Sequence, residues 1–250
     1  MHEHELWVTA LFNDHLAGVA NSILTAVGQP AQARPWANYM TMQFVVAAFI
    51  IGLFAVLRPK LSMDRPGGLQ HAFEAIHGFL NDQAHDNIHH HHRQYVPFFG
   101  TIFVFVLFAN LIGIIPTFES PTMFPPVPAG LALAAFLYYN IQGFAEGGIA
   151  YLKQFAGPNM GFGFIGNTLM ACLMIPIEIV SHCARPISLT IRLFANMFAG
   201  EQVTLVSLSM TYIVAPVLFM GLHVFVSFVQ AYVFALLTMI YVGAAVSHDH

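Results

Sequence analysis

The stretch SLTIRLFANMFAGEQV, residues 188–203, belongs to a long hydrophobic run and nevertheless carries Arg192, Asn196 and Glu201. A charged side chain at the centre of a bilayer costs roughly 2.5–3.5 kcal/mol on insertion scales, so charges in membrane helices usually mark ion or substrate pathways. Arg192 is the hardest of the three to explain as packing, because a guanidinium keeps its proton. Its neighbours one helical turn away include no acid that would neutralise it. The stretch therefore predicts a function inside a membrane.

The composition of the whole chain supports this interpretation. Of its 250 residues, 57% are hydrophobic and only 8% are charged, with a mean hydropathy of +0.68, whereas soluble domains carry about 25% charged residues. The net charge of -4 offers no basic surface for nucleic acid. The two cysteines, Cys172 and Cys183, lack the spacing of a disulfide framework or a metal site. We therefore expect an all-α polytopic membrane protein without a cofactor, a metal site or a nucleic-acid partner.

Hydrophobic runs of about 20 residues, the length that crosses a bilayer, divide the chain into about five predicted membrane-crossing helices. Three of them cover about residues 39–57, 96–115 and 131–152. The apolar stretch from 164 to 246 is too long for one crossing. We expect it to turn back within 211–216, giving two long, tilted helices over about 164–210 and 217–246.

The remaining segments are predicted to be short or polar. Residues 1–38 form an outer or interfacial segment with a surface helix over 6–27, residues 58–94 form a polar loop, and residues 247–250 form a short tail, which leaves 39–246 as a single transmembrane domain. Half of the Lys and Arg residues lie in the 58–94 loop. The positive-inside rule then predicts a cytoplasmic loop, an N-terminus outside and a cytoplasmic C-terminus.

The last predicted helix carries two polar residues, His223 and Gln230, which are seven apart and share a face. An antiparallel hairpin centred at 211–212 sets Arg192 level with Gln230. The same register sets Glu201 level with His223. Asn196 is one turn from Arg192, on the same face, where its side chain could hold the guanidinium by a hydrogen bond.

A third polar site precedes Arg192 in IPIEIVSHCARP, residues 175–186. Glu178 and His182 are four residues apart and are predicted to share a helix face. Groups that can exchange protons thus flank a permanent cation on both sides. This pattern favours two half-channels that do not connect directly.

Several motifs carry a resemblance to a known family. They are IRLFANMFAGE at 191–201, LHVFVSFVQAYVFALLTMIY at 222–241, NLIGIIP at 110–116, PIEIVSHCARPISLTIRLF at 176–194, and VPF at the start of the second predicted span. Over about residues 39–246 the chain resembles subunit a of the membrane sector of the rotary F-type ATP synthase. The Arg-Asn-Glu spacing and the His-Gln spacing occur together, which makes the resemblance specific.

The resemblance implies a role for each of these residues. Arg192 would face the essential carboxylate of each subunit c in a rotating ring, and the last two helices would lie against that ring. Glu201, His223 and Asn196 match polar residues of the outer half-channel, Gln230 matches the residue opposite the arginine, and Glu178, with His182 beside it, matches the inner half-channel. The implied partners are the subunit c ring, the subunit b peripheral stalk, other ATP synthase subunits and membrane lipid. The implied location is the bacterial inner membrane.

The chain departs from the family pattern at Gly113, where some relatives have an acid, and Glu119 in the following loop is a candidate to replace it. Asn110 either lines the outer channel or bonds another helix. Gln142 and Glu146 share a face and have either a structural or an inner-channel role. In HDNIHHHHRQ, residues 85–94, we interpret the histidines as solvated loop residues.

Two other function classes remain open. One is a secondary transporter in which Arg192 binds an anionic substrate, although such folds usually have repeated halves and no repeat is evident. The other is a structural assembly subunit whose polar residues only join helices. The chain has no GxxxxGK[ST] nucleotide motif, so we expect a non-catalytic subunit. The sequence leaves the coupling ion, H⁺ or Na⁺, open.

Overall fold

The structure, a computed structural model, describes residues 5–26, 28–62, 67–88, 92–115, 117–148, 151, 163–210 and 214–246. All regular secondary structure in these ranges is helical. The α-helices are α1 (Trp7–Ala26), α2 (Asn38–Leu57), α3 (Gly68–Asn87), α4 (Val96–Leu111), α5 (Pro126–Gly147), α6 (Gly163–Met210) and α7 (Val214–Val246). Short 3-10 helices lie at Arg58–Lys60, His92–Gln94, Ile112–Ile114 and Pro121–Met123.

Four segments of the described ranges are long and apolar enough to cross a membrane, namely Asn38–Lys60, Val96–Ile114, Cys172–Ser209 and Ala215–Val246. The chain is therefore an all-helical, multi-pass membrane protein, as predicted. The third predicted span, 131–152, corresponds mainly to α5, which begins earlier, at Pro126, and ends at Gly147. Because α5 is not among the four segments, the number of five crossings stays a prediction.

The core lies where α4, α5, α6 and α7 meet. Its largest buried side chains include Phe99 and Phe103 of α4 and Phe234 of α7, and Ala132, Ala135, Ala231 and Ala235 are buried between them. Small residues let membrane helices approach closely. The core thus holds α6 and α7, which carry the predicted site, against α4 and α5.

α6 is much longer than a membrane is thick. Its 48 residues extend about 72 Å at the helical rise of 1.5 Å per residue, whereas the hydrocarbon core is about 30 Å thick. A perpendicular crossing is therefore excluded for the whole helix, which favours the predicted tilt. Of the predicted turn at 211–216, residues 211–213 lie outside the described residues, and residues 214–216 already belong to α7, which begins three residues before the predicted start at 217.

The prediction of a polar loop over 58–94 was wrong for its central part, which forms α3. Phe73, Ile76, Leu80 and Ala84 recur at helical spacing and pack into the core, with Leu80 and Ala84 fully buried. The many histidine and acidic residues of the other face concealed this apolar stripe. Tyr232 of α7 donates a hydrogen bond to the side chain of Gln83 over 3.2 Å, so α3 is fastened to the helix pair.

The helix predicted over 6–27 is confirmed and corresponds to α1; its place at the membrane surface stays a prediction. The hydroxyls of Thr9 and Thr41 are 2.7 Å apart and join α1 to α2. Asn13 bonds both the main-chain amide and the carbonyl of Trp36, at 2.9 and 3.2 Å. These contacts hold α1 against the start of α2 and against the segment that precedes α2.

Candidate functional site

One polar cluster forms where the end of α4 meets α6 and α7. Asn110, near the end of α4, is fully buried, and its side-chain oxygen accepts a hydrogen bond of 2.6 Å from Thr122. The hydroxyl of Ser120 lies 2.8 Å from that of Thr122 and donates to the carbonyl of Ala109 over 2.9 Å. The loop after α4 therefore folds back over the helix end.

His223 of α7 lies against this loop-covered end of α4. Its ring is 93% buried, since only 7% of the residue is exposed, and it lies beside the main-chain carbonyl of Asn110. A Cβ added to Gly200 of α6 would be only 3.1 Å from its Nδ1 atom, so the glycine leaves room for the ring. The predicted register set Glu201 level with His223, and the observed contact differs from it by one residue.

A second contact between α6 and α7 is made by Asn196 and Gln230. The Asn196 amide donates a 2.8 Å hydrogen bond to the side-chain oxygen of Gln230. Arg192 makes no hydrogen bond within the described residues, so the hydrogen bond considered between Asn196 and Arg192 is not formed there. The predicted register concerns only height along the helices, and a contact between the side chains of Asn196 and Gln230 does not decide whether Arg192 is level with Gln230, which stays a prediction.

Four buried side-chain atoms in the described residues have no hydrogen-bond partner: Asn110 Nδ2, Glu201 Oε2, His223 Nε2 and Gln230 Nε2. All four belong to residues that the sequence had selected, and they come from α4, α6 and α7. Buried polar groups in native proteins are nearly always bonded to protein or to ordered water. These four atoms, together with Glu119, define what we name the Glu201 cluster.

Glu119 belongs to this cluster through its loop. The side-chain amide of Asn38 lies 3.4 Å from its carboxylate, and the carboxylate is close enough for its charge to act on Glu201. A Cβ at Gly113 would be 2.9 Å from the Cβ of Ser120. The loop that carries Glu119 therefore occupies the space that an acidic side chain at position 113 would need.

Arg192 lies between the polar groups of α6 on a partly exposed face. It is half-buried, and within the part of the chain that the structure describes it makes no hydrogen bond or ion pair. Leu189 and Leu193, about 60° and 100° round the helix from Arg192, are buried in the core, so Arg192 lies at the edge of the buried face. Small exposed residues, Ser188, Ala195 and Ala199, flank the arginine along this face.

A second polar cluster, which we name the Glu178 cluster, joins α6 to α5 and the end of α7. Arg185 lies 3.6 Å from the carboxylate of Glu178 and 5.2 Å above the ring of Tyr241. His182 Nε2 lies 3.0 Å from the Asn140 side-chain oxygen and 3.3 Å from the Tyr139 hydroxyl. Glu178 and His182 thus belong to one cluster, but each has its own partner.

The chain matches the family described as ATP synthase A chain over residues 40–243. A protein of Solibacter usitatus named ATP synthase subunit a is 61% identical over 241 residues, which cover 96% of this chain and 100% of the relative. One from Koribacter versatilis with the same name is 42% identical, with 99% of each chain covered. One from Aquifex aeolicus is 35% identical, with 85% of this chain and 99% of the relative covered.

This chain belongs to the ATP synthase A chain family. The family match includes both clusters and Arg192, since all of them except the Asn38 contact lie within residues 40–243. The resemblance identified from the sequence motifs is thereby confirmed.

In this family member, sequence reasoning overlooked Arg185, Tyr139 and Asn140. Of these three residues, Arg185 alone could have been found from the sequence. It stands seven residues, or two helical turns, after Glu178, on the same face. Tyr139 and Asn140 are ordinary residues of an apolar helix, and only the packing of α5 on α6 brings them to His182.

Glu146, for which two roles had been left open, bonds within the chain. Its carboxylate accepts hydrogen bonds of 2.5 Å from the Tyr95 hydroxyl and 3.2 Å from Gln94. Burial, and then the hydrogen bond to Glu146, raise the pKa of Tyr95 to about 12, so the phenol keeps its proton and remains a donor. These contacts tie the end of α5 to the start of α4 and favour the structural role.

The described residues contain no group of three or more His, Cys, Asp or Glu side chains that could hold a metal ion. Residues 89–91 of the histidine tract lie outside the described residues. His85 and His92, at the edges of that tract, have ring centroids 5.0 Å apart.

Proposed function

We propose that this chain is the proton-translocating stator subunit of an F-type ATP synthase. It would provide two offset half-channels and, at Arg192, a fixed charge facing the carboxylates of a subunit c ring. Ion flow would thereby be coupled to ring rotation and ATP synthesis. The observation that carries the proposal is the set of four buried, unpartnered polar atoms on α4, α6 and α7.

Those four atoms require partners that the described protein does not supply. Leaving a buried polar atom unsatisfied costs roughly 1–3 kcal/mol, and a polar site with several such atoms is where buried water is expected. Water bonded to Asn110, His223 and Glu201 would form a continuous path between helices. A carboxyl and an imidazole in that path can take up and release protons.

Arg192 would serve as the electrostatic partner of the ring. Its positive charge has no acid on its own chain within the described residues, so a carboxylate of a neighbouring helix can pair with it. Ser188, Ala195 and Ala199 are small, which allows such a helix to approach α6 closely. The same charge would repel protons and prevent a direct leak between the half-channels.

The Glu178 cluster would form the second half-channel, on the other side of Arg192. Glu178 is partly exposed, with 38% of its side chain accessible, and His182 continues the polar contacts towards α5. In the predicted topology this cluster is on the cytoplasmic side and the Glu201 cluster on the outer side. Each half-channel would then open to one side of a bacterial inner membrane.

The proposed partners are the subunit c ring, the subunit b peripheral stalk and the other ATP synthase subunits. Nucleotide chemistry would take place on those other subunits, because this chain lacks a phosphate-binding motif. Its own role would be non-catalytic.

Replacement of Arg192 tests the proposal. We expect Arg192→Ala to lower ATP-driven proton pumping in inverted membrane vesicles at least about a hundredfold, the scale of losing a preorganised charge. Purification of the complex from the same membranes, with its c ring and ATP hydrolysis measured, is the control for assembly. Loss of assembly would favour a structural subunit, and loss of uptake of one anionic solute would favour a transporter; either result would contradict the proposal.

A further inference from the structure

An apolar groove lies between α2, α3 and α4, away from both polar clusters. Its volume is about 850 Å³, within the range of roughly 300–1,000 Å³ that ligand sites occupy. Ile51 and Phe54 of α2, Phe73 of α3, and Val104 and Phe105 of α4 form its walls. The groove thus offers a hydrocarbon surface to a ligand of considerable size.

The groove extends through only about half of the membrane. Its lining on α2 runs from Ala47 to Arg58, which is about 17 Å at 1.5 Å per residue, against about 30 Å for the whole hydrocarbon core. The α4 lining begins at the same end, at Val96. At the Ala47 end of the groove α2 and α4 touch through Phe49 and Phe108, whose ring centroids are 5.3 Å apart. This length corresponds to one leaflet.

The mouth of the groove carries a cation, Arg58, at the end of α2. Its side chain is exposed and makes no ion pair or hydrogen bond within the described ranges. The acid at the mouth, Glu74, accepts a 2.7 Å hydrogen bond from Gln70. Gln70 also bonds the main chain of Ser62 at 3.0 and 3.1 Å, and so holds the chain beside the mouth. The positive charge of Arg58 is therefore available to an anionic group.

We propose that this groove binds one anionic phospholipid of the leaflet at its open end. The phosphate lies at Arg58, and the acyl chains lie between α2, α3 and α4, in a groove that His77 also lines. Basic sites between membrane helices near the cytoplasmic surface attract anionic headgroups, and the predicted orientation puts this mouth on that side. The site is distinct from the proposed proton path.

A spanning helix of another protein is a poorer match for the same space. Such a helix crosses about 30 Å of hydrocarbon and needs a surface that continues through both leaflets, whereas the lining on α2 extends for only about 17 Å. Flexible acyl chains fit a groove that ends halfway through the membrane.

Lipid mass spectrometry of the purified complex after extensive detergent washing tests whether the charge of Arg58 binds the phospholipid. We expect Arg58→Gln to retain about fivefold less anionic phospholipid than the wild type, the effect of one basic residue near an anionic group. Lys60→Gln is the matched control, because Lys60 loses the same charge two residues away but does not line the groove. Its retention should equal that of the wild type.

A second pair of variants tests the cavity itself. Gly100 lines the groove, and a Cβ there meets no atom within 4 Å, so Gly100→Leu should fill the space without strain and abolish retention. Gly52→Leu, also free of contacts but outside the groove, should retain the lipid. Equal retention in Gly100→Leu and the wild type would overturn the proposal. So would a photo-crosslinker at Phe54 that labels a protein helix in the intact complex instead of a phospholipid.

Discussion

The Glu201 cluster and the Glu178 cluster occupy the same long helix but differ in how far their polar groups are satisfied. In the Glu201 cluster, four buried atoms lack a partner among the described residues. In the Glu178 cluster, Glu178 faces Arg185, and His182 faces Asn140 and Tyr139. In the proposed function the first cluster takes up water, whereas the second is held together by protein contacts.

This difference indicates different sensitivities for the two halves of the proposed path. A water-filled cluster transmits protons through groups that must remain polar, so the removal of one group interrupts the chain of hydrogen bonds. A cluster with protein partners is already preorganised, and its partly exposed ion pair contributes little to stability. Substitutions should therefore reduce proton flux more in the Glu201 cluster.

The largest effect within the two clusters is expected for Glu201→Gln. It removes the carboxylate of α6 whose Oε2 atom is buried and without a partner among the described residues. The variant should lower ATP-driven pumping about tenfold, less than the loss of Arg192, because water can replace part of a channel group. Dye-quenching assays in inverted vesicles, normalised to assembled complex, measure this. Glu146→Gln is the matched control, since its carboxylate is engaged by Tyr95; equal losses in both variants would remove the distinction between the two acids.

A smaller loss is expected for His223→Ala. The imidazole leaves a space that water can enter, so pumping should fall about threefold rather than disappear. Ser227→Ala, one turn along the same helix, is the control, because the Ser227 hydroxyl is buried but already donates to the His223 carbonyl over 2.7 Å. Wild-type proton flux in His223→Ala would show that the His223 imidazole is not part of the proton path.

The smallest effect is expected for Arg185→Gln. The ion pair with Glu178 is long and partly exposed, with 28% and 38% of the side chains accessible. Such pairs contribute about 0–1 kcal/mol, so the complex should assemble and pumping should fall no more than about twofold. A thermal-stability cycle with Glu178→Gln and the double variant measures the coupling. A coupling energy well above that range would contradict a weak ion pair between Arg185 and Glu178. A loss of pumping equal to that of Arg192→Ala would mean that Arg185 matters as much for proton flux as Arg192.

The apolar runs predicted the membrane helices well because length and hydrophobicity alone decide them. The expected start at 39 is Asn38 in the structure, and the expected helix over 164–210 is Gly163–Met210. α3 was missed because the hydrophobic signal of an amphipathic helix is confined to one stripe. Phe73, Ile76 and Leu80 carry that stripe among polar neighbours.

The members of the Glu201 cluster were predictable individually, because a polar residue in an apolar helix stands out. The contacts that these residues make with other helices were harder to predict. The hairpin register concerned height along the helices, and the side chain that contacts Gln230 is that of Asn196, one turn from Arg192, because side-chain contacts between helices depend on packing that the sequence does not show. Arg185 was not selected because its acid is two turns away and its aromatic neighbour, Tyr241, is on α7.

The most direct measurement is an experimental structure of the intact membrane complex at a resolution that shows ordered water. We expect water within hydrogen-bonding distance of Asn110 Nδ2, Glu201 Oε2, His223 Nε2 and Gln230 Nε2, connected to one side of the membrane, with Arg192 facing a carboxylate of another chain. If instead these four atoms are enclosed by dry apolar contacts, or if Arg192 is paired with an acid of its own chain, the proposed function is wrong.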